Sequence, residues 1–232
     1  MKKQIWMALA GVVLAIFVLA FAPVLWQMVQ GPGVAATAER DLPWQVETLG
    51  EGRSRVFGLE PGRSTLADAV SRWGDALQLA LLAAPGEGGQ LEAFVDGATL
   101  GFVSGKLVLV ADLPAAQAQE MQARASKTEV LASGARRYTL AAADQPLALS
   151  QRLSTISLLP SLSLDETTLL QRFGPPNERV LVQGQLHLLY PDKGLDITLG
   201  TEGKAARPLL QYVAPREFTR LTAPLRQNGG GQ

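Results

Sequence analysis

The sequence predicts an α+β fold: an N-terminal transmembrane helix, then two related halves, each with a short helix packed on an antiparallel meander sheet. Three observations predict it. Near the N-terminus lies a run of 22 residues without a charge. Two short helix signatures, one ending at Gly74 and the other at Gly174, read alike. Strand-like runs separated by tight-turn residues flank both of them.

The uncharged run extends from Ile5 to Trp26, and at about 1.5 Å per helical residue it matches a hydrocarbon core of roughly 30 Å. Lys2 and Lys3 precede it with no equivalent cluster just after it. The positive-inside rule therefore puts the N-terminus in the cytoplasm and the rest of the chain in the periplasm of a bacterial inner membrane. Trp6 and Trp26 mark the two interfaces. A cleaved signal peptide ending at Ala36-Thr37-Ala38 is the alternative, and it delivers the domain to the same compartment. The expected organisation is an anchor over 1–30, a tether over 31–42, a first half over 43–127, a second half over 128–222 and a flexible tail over 223–232.

In the first half, Trp44 to Leu49 and Arg55 to Leu59 read as strands joined by Gly50-Glu51-Gly52. The helix follows. Thr65 is its N-cap with Asp68 three residues on, Leu66, Ala69, Val70 and Trp73 form one face, and Gly74 is the stop. Strands are expected over Leu77 to Ala84, Leu91 to Val95, Thr99 to Val103 and Lys106 to Ala111, with a turn at Ser104-Gly105. Pro114 opens a weakly amphipathic helix through Lys127. The second half repeats the order: strands over Arg137 to Ala142 and Ser154 to Leu159 with a long join through Pro146, then a helix with a capping box from Ser163 to Glu166. That helix has Leu169, Leu170 and Phe173 on its apolar face, and Gly174 and Pro175 follow it. Strands over Arg179 to Gln183, Leu186 to Tyr190, Leu195 to Leu199 and Leu209 to Ala214 complete it. A two-turn helix is marginal alone in water, so each must be held on a sheet. Whether the halves share one core is open at this stage.

The segment Leu169-Leu170-Gln171-Arg172-Phe173-Gly174-Pro175-Pro176, with Val70-Ser71-Arg72-Trp73-Gly74 as a degenerate copy, resembles the SmpA/OmlA (BamE) family of small outer-membrane-assembly lipoproteins. Tandem duplication of such a unit is similar to the β-lactamase inhibitory proteins. The chain departs from the lipoprotein family in having a peptide anchor where that family has a lipidated cysteine. The resemblance implies a protein-binding scaffold of the cell envelope and transfers no catalytic residue.

Composition narrows the chemistry. The chain has no cysteine, which excludes disulfides, a thiol nucleophile and Cys-ligated metal. Removing Lys2 and Lys3 from the 21 basic residues leaves 19 against 21 acidic ones, a balance that argues against a nucleic-acid partner. One histidine, His187, makes no His-based metal cluster, and no serine sits in a nucleophile elbow. Gly86-Glu87-Gly88-Gly89 lacks the lysine of a phosphate loop, and no cofactor is implied. The surface that stands out combines aromatic and cationic residues, Tyr190, Lys193, Tyr212, Arg216 and Phe218, the mixture that protein partners favour. The expected role is thus a non-enzymatic scaffold, anchored through residues 5–26, that binds another envelope protein. Two alternatives differ in class: a receptor for a lipid or apolar small molecule, and a hydrolase with a carboxylate-only site drawn from Asp192, Asp196 and Glu178.

Overall fold

A computed structural model describes residues 40–84, 88–200 and 207–229. The expected membrane-spanning run, and the tether as far as Glu39, lie outside the described residues. Among the described residues no helix is long and apolar enough to cross a membrane.

The chain from Arg40 is α+β, built on a large antiparallel sheet with a few short helices. A small hairpin comes first, β1 (Glu47–Gly50) with β2 (Arg53–Arg55), followed by helix α1 (Leu66–Trp73). Three long strands form a meander: β3 (Leu77–Ala83), β4 (Gln90–Leu100) and β5 (Val103–Ala111). Then come α2 (Ala115–Ala123), β6 (Lys127–Val130), β7 (Arg136–Thr139), α3 (Gln145–Leu149) and β8 (Leu153–Pro160). Helix α4 (Glu166–Phe173) precedes a second meander of β9 (Glu178–Val182), β10 (Gln185–Tyr190), β11 (Leu195–Gly200) and β12 (Leu209–Val213), and α5 (Phe218–Gly229) closes the chain.

Ten strands make one antiparallel sheet in the order β6-β7-β3-β4-β5-β8-β12-β11-β10-β9. The two meanders meet through β8, which pairs with β5 on one side and β12 on the other. Register then decides the question of one core or two. Leu79, Ala93, Leu109, Ile156, Tyr212, Leu195 and Tyr190 lie opposite one another in a single row across seven strands. Leu77, Val95, Leu107, Leu158, Leu210, Ile197 and Leu188 form the neighbouring row. Most of these side chains are buried in one cluster that also takes in Leu66 and Ala69 of α1 and Leu169 and Phe173 of α4. Each fully buried leucine or isoleucine there contributes about 1.5–3 kcal/mol, so neither half has a core of its own. A smaller cluster on the opposite face, Leu189, Val213 and Phe218, is covered by Leu221 and Leu225 of α5.

The two short helices have matching ends. Each stops at a glycine with positive φ, whose N–H donates to the residue four back, Val70 for Gly74 and Leu170 for Gly174. Phe173 is buried and Trp73 half-buried against the same core. At the N-termini Thr65 forms the expected box with Asp68. For α4 the cap is Asp165, which accepts from the Thr168 N–H at 2.8 Å, and not Ser163. An aspartate two residues nearer the apolar face of Leu169 and Phe173 takes the position because the helix starts where that face starts.

Several strand boundaries differ from expectation. Thr99 to Val103 is not a separate strand: β4 runs unbroken from Gln90 to Leu100, with a bulge between Val95 and Ala98, and turns at Gly101-Phe102. Gly105, expected in that turn, lies inside β5, where a Cβ would sit 2.5 Å from the Leu159 carbonyl oxygen. Close strand approach, and not a turn, requires its glycine. The segment through Pro146 is helical, α2 ends four residues short of Lys127, and β6 starts there. β7 and β8 do not pair with each other; β7 joins β3. Residues 223–229, expected as tail, continue α5. The sheet's two edges are short, and each carries an outward aliphatic, Val130 on β6 and Leu181 on β9.

Candidate functional site

Four rings form a ladder from the core to the surface at the end of the sheet where the β4–β5 hairpin turns. Tyr190, 3% exposed, contacts Phe173 at 6.1 Å between centroids; Phe173 meets Trp44 edge-on at 6.3 Å; Trp44 packs on Phe102 at 5.6 Å. Phe102, at the hairpin tip, is 58% exposed. Trp44 is held by its neighbours: Gln45 N–H donates to the Leu42 carbonyl at 2.9 Å, and Leu42 N–H donates to the Gln45 side chain at 3.0 Å. Arg172 lies over the Trp44 ring at 5.0 Å. Ser161 N–H donates to the Ser104 carbonyl, so the chain leaving β8 runs beside the hairpin tip, and Leu162 there is 39% exposed. An exposed ring backed by a rigid stack, with a guanidinium and an aliphatic nearby, is the composition of an energetic anchor at a protein interface.

Tyr190 and Lys193 sit at the inner end of this ladder, where they serve helix α4. The Lys193 ammonium donates to the Phe173 carbonyl at 2.6 Å and the Tyr190 hydroxyl to the Gly174 carbonyl at 2.9 Å. These carbonyls terminate a helix, and a cation there also suits the helix dipole. Burial pushes the Tyr190 phenol up and the Lys193 ammonium down from their ordinary ranges. Tyr212 is elsewhere, 1% exposed in the middle of the sheet, packed edge-on against Phe57 at 5.5 Å, its hydroxyl donating to the Pro43 carbonyl at 2.8 Å. Phe218, the first residue of α5, is buried against Leu189 and Val213, whereas Arg216 just before it is exposed. The structure thus brings Tyr190 and Lys193 together, places the three rings inside, and separates Arg216 from them.

Trp44, Phe102 and Arg172 did not emerge from the sequence as site residues. Phe102 follows Gly101 at a hairpin tip, and that was the available signal: an aromatic next to a turn glycine has no sheet neighbour to cover it.

The carboxylates proposed for hydrolysis do not converge. Asp196 and Glu178 flank Leu189 in one cross-strand row, on strands two apart and hence about 10 Å from each other. Asp196 is buried, with its carboxylate 2.9 Å from His187 Nδ1, and Thr198 Oγ1 lies 3.3 Å from the same nitrogen. Glu178 is exposed opposite Arg226, and Asp192 is exposed in a turn. The pairing gives His187 a structural occupation: its Nδ1–H compensates a carboxylate taken out of water.

Among the described residues, two of the surface clefts are lined largely by polar side chains. One, of about 860 Å³, is bounded by Arg55, Glu60, Arg63, Asp68 and Arg72; the other, of about 450 Å³, opens beside the start of α5. None of Asp192, Asp196 and Glu178 lines either. On the open face of the sheet, Phe94 lies under the Lys106 and Arg137 cations at 5.2 and 4.8 Å, and burial raises the neighbouring Glu92 carboxyl, with Lys106 pulling it part of the way back. The chain matches no family model, no curated protein and no solved structure.

Proposed function

We propose that this chain is a non-enzymatic binding protein of the bacterial cell envelope, held in the inner membrane by its N-terminal helix, with the domain from Arg40 in the periplasm. One observation carries the reading: the ladder that ends on Phe102, 58% exposed, with Trp44 beneath it and Arg172 beside it. Phe102 packs one side on Trp44 and turns the other to water, and a partner that covers it gains the burial of a ring already placed against its neighbour. The partner is another envelope protein, docking with an apolar pocket for Phe102 and an acidic or carbonyl-rich rim for Arg172.

Two related helix–meander units support the scaffold reading. Thr65, Val70, Trp73 and Gly74 stand 100 positions before Asp165, Leu170, Phe173 and Gly174, in matching roles. That arrangement resembles a tandem SmpA/OmlA-like unit, and we infer that the two derive from one.

The test replaces Phe102 with a photo-crosslinking phenylalanine in intact cells, with Leu181, the exposed aliphatic of the β9 edge, as the control position. The expected result is a discrete crosslinked protein at 102, absent at 181 and lost when Arg172→Glu is added. Identical patterns at both positions, or none at 102, refute the site. Orientation is tested separately by a reporter active only in the periplasm, fused after Gln232; activity of a cytoplasm-only reporter there refutes the topology.

A further inference from the structure

Arg53, Arg55, Arg72, Arg124, Arg179 and Arg226 each lie within 4 Å of a carboxylate. Arg152, Arg216 and Arg220 have no such partner among the described residues, yet all three line the same cleft of about 450 Å³. Arg216 is exposed but held. Its N–H donates to the Gly52 carbonyl at 3.1 Å, and it lies across two glycines: a Cβ at Gly52 would come within 2.8 Å of the Arg216 Cβ, and one at Gly62 within 2.7 Å of its Nη2. Arg220 stands four residues further on, in the first turn of α5. Arg152 approaches from the other wall, where its carbonyl accepts the Asp112 N–H at 2.8 Å as the chain enters β8. Thr155, three residues on, has a hydroxyl with no hydrogen-bond partner among the described residues and faces the same space.

Three guanidinium groups around one cleft are only partly balanced by its carboxylates, and an anion between them removes the remaining repulsion. A carboxylate has two oxygens and is filled by a single guanidinium fork, whereas the tetrahedral oxygens of a phosphate accept several forks and a hydroxyl at once. The cleft also opens at the N-terminal end of α5, a 12-residue helix, where the backbone dipole favours negative charge. Asp112 and Glu217 line the same space, and three arginines against two carboxylates leave one positive charge. That balance suits a phosphate monoester or diester and disfavours a polyphosphate. We propose that this cleft binds a single phosphate group, carried either by a small solute or by a lipid headgroup. The site is separate from the Phe102 ladder and does not depend on it.

The test is hydrogen–deuterium exchange on the full chain, in maltoside micelles with inorganic phosphate or glycerol phosphate added, and in nanodiscs with or without acidic phospholipid. Protection of amides in Arg152–Ile156 and Arg216–Thr222 by either soluble compound assigns a free phosphate. Protection only in acidic nanodiscs assigns a headgroup. In either case the concentration for half-protection, or the acidic-lipid fraction needed, rises at least 10-fold in Arg216→Gln/Arg220→Gln, and also in Arg152→Gln on the opposite wall, which guards against a local folding defect in the double variant. Added salt weakens the protection. No protection in any arm, or protection unchanged by both variants, overturns the site, whatever the Phe102 crosslink shows.

Discussion

Tyr212→Phe isolates one hydrogen bond that joins the two ends of the described chain. The Tyr212 hydroxyl donates to the Pro43 carbonyl 169 residues away, and both residues are buried. The variant keeps the ring, and with it the edge-on contact to Phe57, so the only loss is the donor. A buried carbonyl left unpaired costs about 1–3 kcal/mol, a large part of a net stability of about 5–15 kcal/mol. Tyr190→Phe is the matched control. Its acceptor, the Gly174 carbonyl, is on a half-buried residue within reach of water, so the cost there is about 0.5–1.5 kcal/mol. Urea unfolding of the full chain in micelles measures both, and hydrogen exchange adds a local readout, since only Tyr212→Phe frees the Leu42–Val46 turn that carries Trp44. A pH dependence follows. Burial pushes the Tyr212 phenol well above its ordinary range, so the folded state resists ionisation and its advantage is full below about pH 10, the unfolded phenol's range, and lost as pH rises beyond it. Tyr212→Phe removes that contribution to alkaline unfolding. Equal costs for the two variants, or unchanged exchange at Leu42–Val46, refute the reasoning.

Four further outcomes are expected. Ile156→Ala, fully buried at the junction of both meanders, lowers stability by about 2–5 kcal/mol and leaves a single cooperative transition by tyrosine fluorescence and circular dichroism; two separated transitions contradict a shared core. Gly105→Ala lowers the melting temperature, because its Cβ would meet the Leu159 carbonyl oxygen; an unchanged midpoint refutes the close approach. Asp165→Ala destabilises and Ser163→Ala does not. The Thr168 hydroxyl and N–H hold the Asp165 carboxyl below its ordinary range, so this contribution is present above about pH 4 and lost as pH falls through the lowered range, which acid unfolding of the two variants measures. Glu92→Gln raises the melting temperature at pH 7 but not at pH 4, since a carboxyl raised by burial weakens the fold only where it is ionised.

The helices at 66–73 and 166–173 were legible because their signals are local: a 3.6-residue apolar face and a stop glycine lie within ten residues, and of the two N-caps Thr65 was legible and Asp165 was not. The second meander was equally legible, since Gly184 and Gly194 mark its turns and its strands are short. Failures came where the determinant is distant in sequence. Gly105 reads as a turn until Leu159 is known to lie against it, and the sequence leaves the partners of β8 open until β5 and β12 are seen to flank it. The aromatic-plus-cation mixture near 190 and 212 stands out in the sequence, but sequence gives no depth. Tyr190 and Lys193 cap α4 from the sheet, and the exposed ring of that stack, Phe102, comes from the other half of the chain.

β8 has both of its edges occupied by strands from different parts of the chain, and it leaves the sheet through the exposed residues Ser161, Leu162 and Ser163. Severing the backbone between Leu162 and Ser163 therefore leaves β8 with the N-terminal piece and the whole β9–β12 meander with the other, each displaying an unmatched ribbon edge and half of Tyr212's surroundings. Neither piece has anything else to satisfy that edge so well as the other, which makes this bond a natural place to divide the molecule into fragments that recombine when expressed together.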